Sequence, residues 1–279
     1  MVNFNGKLAT SDETTLSGNR GFLYGDGVFE TLRVRNGAIL FFEDHYFRLM
    51  ATMRIVRMEI PMNFTMEYLE DQILITAKNN DCLGSGRARI TVFRNEGGFY
   101  LPKSNAISFT ITAENLKKTV YSFDRSPYEV DLYKDFYVSK QLLSSLKTTN
   151  KMIHITGSIF AQENGYQNCL LVNDEKNIIE ALQGNLFMLL DNKLITPPVS
   201  DGCLNGVMRK KILLLAKTIE NIEVVEQSIS PFDLQKAEEL FITNVIVGIQ
   251  PITKYRKKEY RFHLANNLIE KLNKSVQKD

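Results

Sequence analysis

The stretch "FETLRVRNGAILFFEDHYFRLM", residues 29–50, changes its period midway, and that change decides the fold class. Up to Ile39, β-branched and aromatic residues flank Asn36-Gly37, a dipeptide that accepts positive φ and so closes a tight hairpin. The spacing then turns helical: Phe47, Met50, Ile55 and Met58 can share much of one face, and Pro61 follows the expected end of the helix. Two strands followed at once by a helix predict mixed α and β structure.

The same pattern continues on both sides. Upstream, "NFNGKL" (3–8) is a second Asn-Gly strand pair. Downstream, a helix is expected over Met66–Asn79, then "RARITVFR" (87–94) and "AISFTITAE" (106–114) as strands of a hairpin. Periodicity fades in "NLKKTVYSFDRSPYEVDLYKD" (115–135), which contains Pro127, and an interdomain connection is expected there. The expected division is a smaller N-terminal domain over 1–118, a linker over 119–135 and a larger C-terminal domain over 136–279. That second domain opens with a helix, Met152–Asn164, and continues through the strands "NCLLVND", "NIIEAL", "GNLFMLL" and "KLITPP". A loop entering an amphipathic helix ("GCLNGVMRKKILLLAKTIE"), a strand ("IEVVEQSI"), a short helix ("PFDLQKAEE") and a buried strand and turn ("ELFITNVIVGIQPI") follow.

At 279 residues, two domains or one large one are expected, and 44% hydrophobic with 24% charged residues supplies an ordinary core. The net charge of +2 is spread along the chain, which gives no electrostatic case for nucleic acid or a membrane surface and leaves small-molecule partners open. Cys82, Cys169 and Cys203 are an odd number at wide spacing, so neither a disulfide framework nor a metal site is expected. With no export signal or span in evidence, the expected location is cytoplasmic.

Candidate chemistry starts at Lys147, in "LSSLKTTNKM" (143–152), where apolar neighbours suggest an amine partly withdrawn from water. Desolvation favours the neutral amine, which can attack a carbonyl, although any single lysine is more often a solvated cation and Lys140 and Lys151 stand nearby. Glu180 lies in the apolar "IIEALQGNLF" (178–187), where an unpaired carboxylate would cost several kcal/mol, so a cation should face it; a strand-end ion pair is the bland alternative. In "CLNGVMRKK" (203–211), Gly206 permits close approach of a ligand and the following helix offers unpaired N–H groups, a combination that suits phosphate. Thr243 and Asn244 end the strand "FITN" (241–244), where they could complete an anion site or satisfy a turn. Arg48 and His45 share one helix and, alone, read as a solvated cation and a packing or capping residue. "YGDGVFETL" (24–32) sets Asp26 and Thr31 beside a turn, where the threonine hydroxyl could line a pocket.

The succession "RGFLYGDGVFETLRVRNG", "HYFRL", a lysine before the central helix, "EALQGNLF" with "TPP", then "LNGVMR" and "FITN" resembles the class IV aminotransferases, the fold-type IV pyridoxal-phosphate enzymes. The resemblance runs from about Asn3 to Thr253. It implies a two-domain α/β (α+β) fold with pyridoxal 5'-phosphate in the interdomain cleft, and a homodimer in which a partner loop closes each site. It also implies roles. Lys147 would hold the cofactor aldehyde, with Asn150 at a recurring polar position; Glu180 would pair with the pyridine nitrogen, Arg48 would bind the phosphate, and Gly206, Val207 and Thr243 would make the remaining phosphate contacts.

Within the family, the threonine at Thr31 after "GDG" resembles the lyase-like members, whereas branched-chain enzymes place glycine there. The loop "NEGGFYLP" (95–102) lacks the Arg-x-His pair of D-amino-acid enzymes. The resemblance is therefore nearest to 4-amino-4-deoxychorismate lyase, of folate biosynthesis, with Lys147, Glu180 and Thr31 as catalytic residues. Two positions depart from that pattern: Phe99 stands where an arginine is common, and Asn19 where an acid precedes Arg20. Carboxylate recognition is left to Tyr100, Arg94, Arg87 and Asn244 as candidates. A branched-chain or other amino-acid aminotransferase is the alternative, and a non-catalytic binding protein on the same scaffold the third.

Overall fold

The computed structural model describes residues 1–9, 18–123 and 126–277. It divides into two compact units: Met1–Thr119 with Lys147–Asn150, and Val120–Leu146 with Lys151–Asp279.

In the first unit the chain runs β1 (Val2–Phe4), β2 (Lys7–Ala9), α1 (Arg20–Tyr24), β3 (Gly27–Arg35), β4 (Ala38–Ile39), α2 (Phe42–Ile55), α3 (Met66–Lys78), β5 (Ser85–Arg94) and β6 (Ile107–Asn115). Six strands form an antiparallel sheet in the order β2-β1-β6-β5-β3-β4. Asn36 and Gly37 turn the β3–β4 hairpin with φ of 50° and 80°, the double positive that the dipeptide predicts. Because side chains alternate along a strand, Val28, Leu32 and Val34 of β3 join Ala88, Ile90 and Val92 of β5 in one core with Leu49, Met50 and Met53 of α2. Leu69, Ile73 and Ala77 of α3 pack into the same core. Phe47 and Ile55 do not belong to this face; both are exposed, and the buried stripe of α2 is His45, Leu49, Met50, Thr52 and Met53. The intervening positions turn Phe29, Thr31 and Arg33 of β3, with Arg87, Arg89 and Thr91 of β5, to the opposite face, where Phe29 lies opposite Thr91 and Thr31 opposite Arg89.

Lys147–Asn150 belongs to this unit through main-chain pairing with β3. Phe29 N–H donates to the Lys147 carbonyl at 2.9 Å, Thr149 N–H to the Gly27 carbonyl at 2.9 Å, and Val28 bridges Thr148. The side chains of Thr149 and Asn150 both donate to the Gly25 carbonyl, at 2.8 and 3.1 Å.

The second unit contains β7 (Glu129–Val138), α4 (Met152–Glu163), β8 (Asn168–Asn173), β9 (Ile178–Ala181), β10 (Gly184–Leu190), β11 (Lys193–Thr196), α5 (Val207–Ala216), β12 (Glu223–Glu226), β13 (Glu239–Asn244), β14 (Gly248–Ile252), β15 (Lys254–Tyr255), β16 (Lys258–Glu259) and α6 (His263–Ser275). Its mixed sheet follows β12-β11-β10-β9-β8-β7-β15-β16, with β13 paired to β10 and β14. The continuous apolar run of β8 is buried on both faces: Leu170 and Val172 enter one core with Leu186 and Ile242, while Cys169 and Leu171 enter another with Ile179 and Cys203.

Two expectations change here, and one helix is added. The span read as a linker contains most of β7, because Val130, Leu132 and Tyr133 are buried and the strand pairs in parallel with β8; residues 124 and 125 of that span lie outside the described residues. "PFDLQKAEE" forms only a single 3-10 turn, Asp233–Gln235, because Asp233 caps the Ser230 N–H in a turn and the chain enters β13 at Glu239. The C-terminal α6 was not foreseen.

Candidate active site

In the first unit the side chain of Lys147 is half-buried, and its ammonium lies 4.6 Å from the centre of the Phe29 ring. The Arg89 guanidinium also stacks on Phe29, at 3.7 Å, and donates from Nε to the Thr91 hydroxyl at 3.1 Å. Since Thr31 faces Arg89 across β3 and β5, four of these side chains, Phe29, Thr31, Arg89 and Thr91, share one strand face beside the amine. Burial, and then the like charge of Arg87, push Arg89 below its ordinary value. Arg87 is paired with Glu114 at 2.6 Å, whereas Arg89 has no carboxylate partner among the described residues. A desolvated cation without a counterion is suited to bind an anion.

On the other face of β3, Glu30 is wholly buried. It accepts from Arg48 Nε at 2.7 Å, Arg48 Nη2 at 2.6 Å and His45 Nδ1 at 2.8 Å. Burial alone would raise this carboxyl, but the Arg48 charge and the His45 hydrogen bond outweigh it and hold the group at about 2. Burial pushes His45 down, against the hydrogen bond and charge of Glu30, and its Nε2 has no hydrogen-bond partner among the described residues. Arg48 therefore has its fork oriented by Glu30, an acid absent from the sequence reading. The signal was available: Glu30 falls on the same alternate positions as Val28 and Leu32, which places it inward.

In the second unit Glu180, on β9, is buried and accepts from the Leu204 N–H at 3.0 Å. Its other oxygen lies 3.6 Å from His154 Nε2. Gly206 is the N-cap of α5, which has no side-chain cap, so the first N–H groups of a ten-residue helix are available to a ligand. A Cβ at Gly206 would run into the Asn185 Oδ1, and Asn185 holds the Leu204 carbonyl from Nδ2 at 2.7 Å. Thr243 lies opposite Asn185 across β10 and β13, and its buried hydroxyl has no partner among the described residues. An orphaned hydroxyl, an uncapped helix start and a residue with no room for a Cβ fit a phosphate group. Gly206→Ala is expected to displace Asn185 and to weaken pyridoxal-phosphate binding about tenfold, read by titrating the cofactor into the cofactor-free protein.

Several predicted residues are otherwise engaged. Arg94 is buried and donates to Asp26, the Val56 and Arg57 carbonyls and Asn105, which makes it a structural cation. Asp26 is held between Arg94 and Arg20. Asn244 closes the β13–β14 turn, accepting from the N–H groups of Ile246 and Val247 at 3.0 Å each. Tyr100 is exposed in a loop gathered by Arg20, whose Nη1 donates to the carbonyls of Gly97, Gly98 and Phe99. Asn19 caps α1, accepting from the Phe22 N–H at 3.0 Å. Lys140 pairs with Glu175 at 2.8 Å and approaches Asp201 at 3.4 Å.

Comparison with known proteins identifies the class. The family model for amino-transferase class IV matches residues 27–255, and the chain belongs to that family. It is similar to a putative branched-chain-amino-acid aminotransferase of Methanocaldococcus jannaschii, 29% identical over 263 residues, covering 90% of this chain and 86% of that protein. The 4-amino-4-deoxychorismate lyase of Pseudomonas aeruginosa has the same fold, with a TM-score of 0.84 at 24% identity and 98% of each chain covered. So has the branched-chain aminotransferase of Thermobaculum terrenum in its PLP form, with a TM-score of 0.85 at 21% identity, covering 99% of this chain and 92% of that one. D-alanine aminotransferases are also among the curated relatives. The expected cofactor, pyridoxal 5'-phosphate, agrees with this family. Among the described residues no helix is long and apolar enough to cross a membrane.

Proposed function

We propose that this chain is a pyridoxal-phosphate-dependent 4-amino-4-deoxychorismate lyase, releasing pyruvate and p-aminobenzoate for folate synthesis. The observation that carries the reading is the shared strand face of Phe29, Thr31 and Arg89 beside the Lys147 amine. The reading assigns Lys147 and Arg48 of the first unit, and Glu180, Gly206, Val207 and Thr243 of the second, to the same cofactor.

When bound, pyridoxal phosphate supplies an electron sink for the pair left as a proton departs from the substrate carbon bearing the amine. Lys147 Nζ takes that proton as a general base. The carbon–oxygen bond to the enolpyruvyl group then breaks, the ring becomes aromatic, and the Thr31 hydroxyl relays a proton to the departing enolate, which becomes pyruvate. Glu180 keeps the cofactor nitrogen protonated, which also removes the cost of burying that acid. The start of α5, Thr243 and Arg48 fix the phosphate.

Arg89 takes the substrate carboxylate in place of Arg94, whose donors are already committed. Arg89→Met is expected to raise KM for aminodeoxychorismate at least tenfold with a smaller change in kcat. A fully structural Arg89 would instead lower thermal stability and leave KM unchanged.

An aminotransferase acting on a branched-chain or other apolar amino acid is the second reading, favoured by the similarity to the Methanocaldococcus jannaschii protein. Pyruvate released from aminodeoxychorismate without any amino acceptor supports the lyase; strict dependence on 2-oxoglutarate overturns it. A colourless preparation that takes up no cofactor would instead support a binding protein on the same scaffold. The homodimer belongs to this reading as well. It would cover apolar side chains that are exposed in each unit, Phe99 and Leu101 in the first and Leu142, Met152 and Ile155 in the second.

A further inference from the structure

Glu180 has a neighbour that the function above does not use. His154 stands in the first turn of α4 with its Nε2 at 3.6 Å from Glu180 Oε1, while its Nδ1 is buried without a partner. The other carboxylate oxygen is occupied by the Leu204 N–H at 3.0 Å. We propose that His154 is a positioning residue for Glu180, acting as a proton-operated modulator of how strongly that acid supports the ring nitrogen of a bound pyridine cofactor. The inference rests on the reading of Glu180 given above.

At 3.6 Å the contact is longer than a good N–H···O bond, so the neutral imidazole offers the carboxylate little. The imidazolium would offer a full positive charge at the same place. One carboxylate then serves two cations, His154 and the protonated ring nitrogen, and each weakens the hold of the other. By linkage the effect is reciprocal: a proton on His154 loosens the support of the ring nitrogen, and a bound cofactor lowers the proton affinity of His154 by the same factor.

Lys151, the N-cap of α4, is the charged residue beside His154 in the first turn of that helix. The strand neighbours of Glu180 are Leu171 on β8 and Asn185 on β10, and Leu204 contributes a backbone N–H. The Cys203 thiol is held neutral, pushed up to about 12 by burial and then by the Glu180 charge; Arg209 and Asp201 act on that thiol with opposite signs. Ile153, next to His154, packs against the apolar cluster that holds Tyr133 of β7 and Leu171 of β8.

Nuclear magnetic resonance titration of the full chain tests this directly, since the protein has only three histidines and the His154 signal is identified by its loss in His154→Gln. In the cofactor-free protein, Glu180→Gln is expected to lower the proton affinity of His154 at least threefold. Saturating pyridoxal phosphate is expected to lower it similarly in the native protein and not in Glu180→Gln. The native protein is expected to show a pH-dependent change in bound-cofactor absorbance, and His154→Gln is expected to lose it. An unchanged His154 midpoint in folded, cofactor-free Glu180→Gln overturns the inference, as does an unaltered absorbance profile in His154→Gln. Failure of the native protein to take up the cofactor is a separate result, which overturns the reading of Glu180 itself.

Discussion

Lys147→Ala is expected to lower turnover at least about a thousandfold, roughly 4 kcal/mol in the barrier, while the folded protein remains intact. In the proposed reading two roles vanish together, the covalent hold on the cofactor and the base that moves the substrate proton, so a loss in the middle of the roughly 10²–10⁴-fold range of a single acid–base group is a minimum. The main chain of Lys147 would still pair with Phe29, and Thr148 would still bridge Val28. Thermal unfolding should therefore shift little, and the yellow colour expected of the native protein should be missing or no longer dischargeable by borohydride. A variant with native turnover would remove Lys147 from the chemistry. One that unfolded would assign the residue to the fold.

The second large effect concerns stability. Glu30→Ala leaves the partly buried Arg48 and the buried His45 without their shared acceptor, and removing one partner of such a network costs about 3–5 kcal/mol. That is a sizeable share of the ~5–15 kcal/mol that holds a typical domain folded. The sign of the pH dependence follows from the depressed folded-state value. The contribution of Glu30 is fully present above the ordinary carboxyl value of 4.5 and is lost as pH falls towards about 2. A carboxyl so depressed corresponds to about 3 kcal/mol over that window. Urea unfolding of the native protein should weaken between pH 5 and 2.5 by roughly that amount, and Glu30→Ala should show a flatter acid limb from a lower starting point. Equal acid sensitivity in the two proteins would contradict this account of Glu30.

Local signals served the fold well where chemistry and geometry coincide. Asn36-Gly37 and Asn5-Gly6 both close hairpins with positive φ, and the continuous apolar run around Leu170 is a strand buried on both faces. They served less well where tertiary context decides. Phe47 and Ile55 fit a helical face on paper, yet α2 is rotated so that His45 and Thr52 enter the core, where His45 bonds Glu30 and the Thr52 hydroxyl bonds the Arg48 carbonyl. β7 was hidden by the charges of Lys134 and Asp135 at its exposed end, although Val130 and Leu132 point inward. Of α6, the spacing of Leu264, Leu268, Ile269 and Leu272 was a usable helical signal that lay beyond the reach of the family motifs.

The candidate site divides in the same way. Lys147 and Glu180 stood out against apolar neighbours, Gly206 as a glycine entering a helix and Thr243 as a donor at a strand end; the fold sets them as a half-buried amine, a buried acid, a cap without room for Cβ and a hydroxyl without a partner among the described residues. Arg89 was passed over in favour of Arg94 and Arg87. All three are arginines on one strand, and only the pairing register and the engaged donors of Arg94 separate them. The alternation along β3 places Glu30 inward, but its partners Arg48 and His45, like the approach of His154 to Glu180, come from tertiary contacts that no spacing in the chain reveals.

The most direct test is to reduce the pyridoxal-phosphate-loaded protein with borohydride and locate the trapped pyridoxyl group by peptide mapping. The account predicts a single modified side chain, Lys147, with Lys140 and Lys151 unmodified. A label on either of those lysines, or none after saturation with the cofactor, would contradict it.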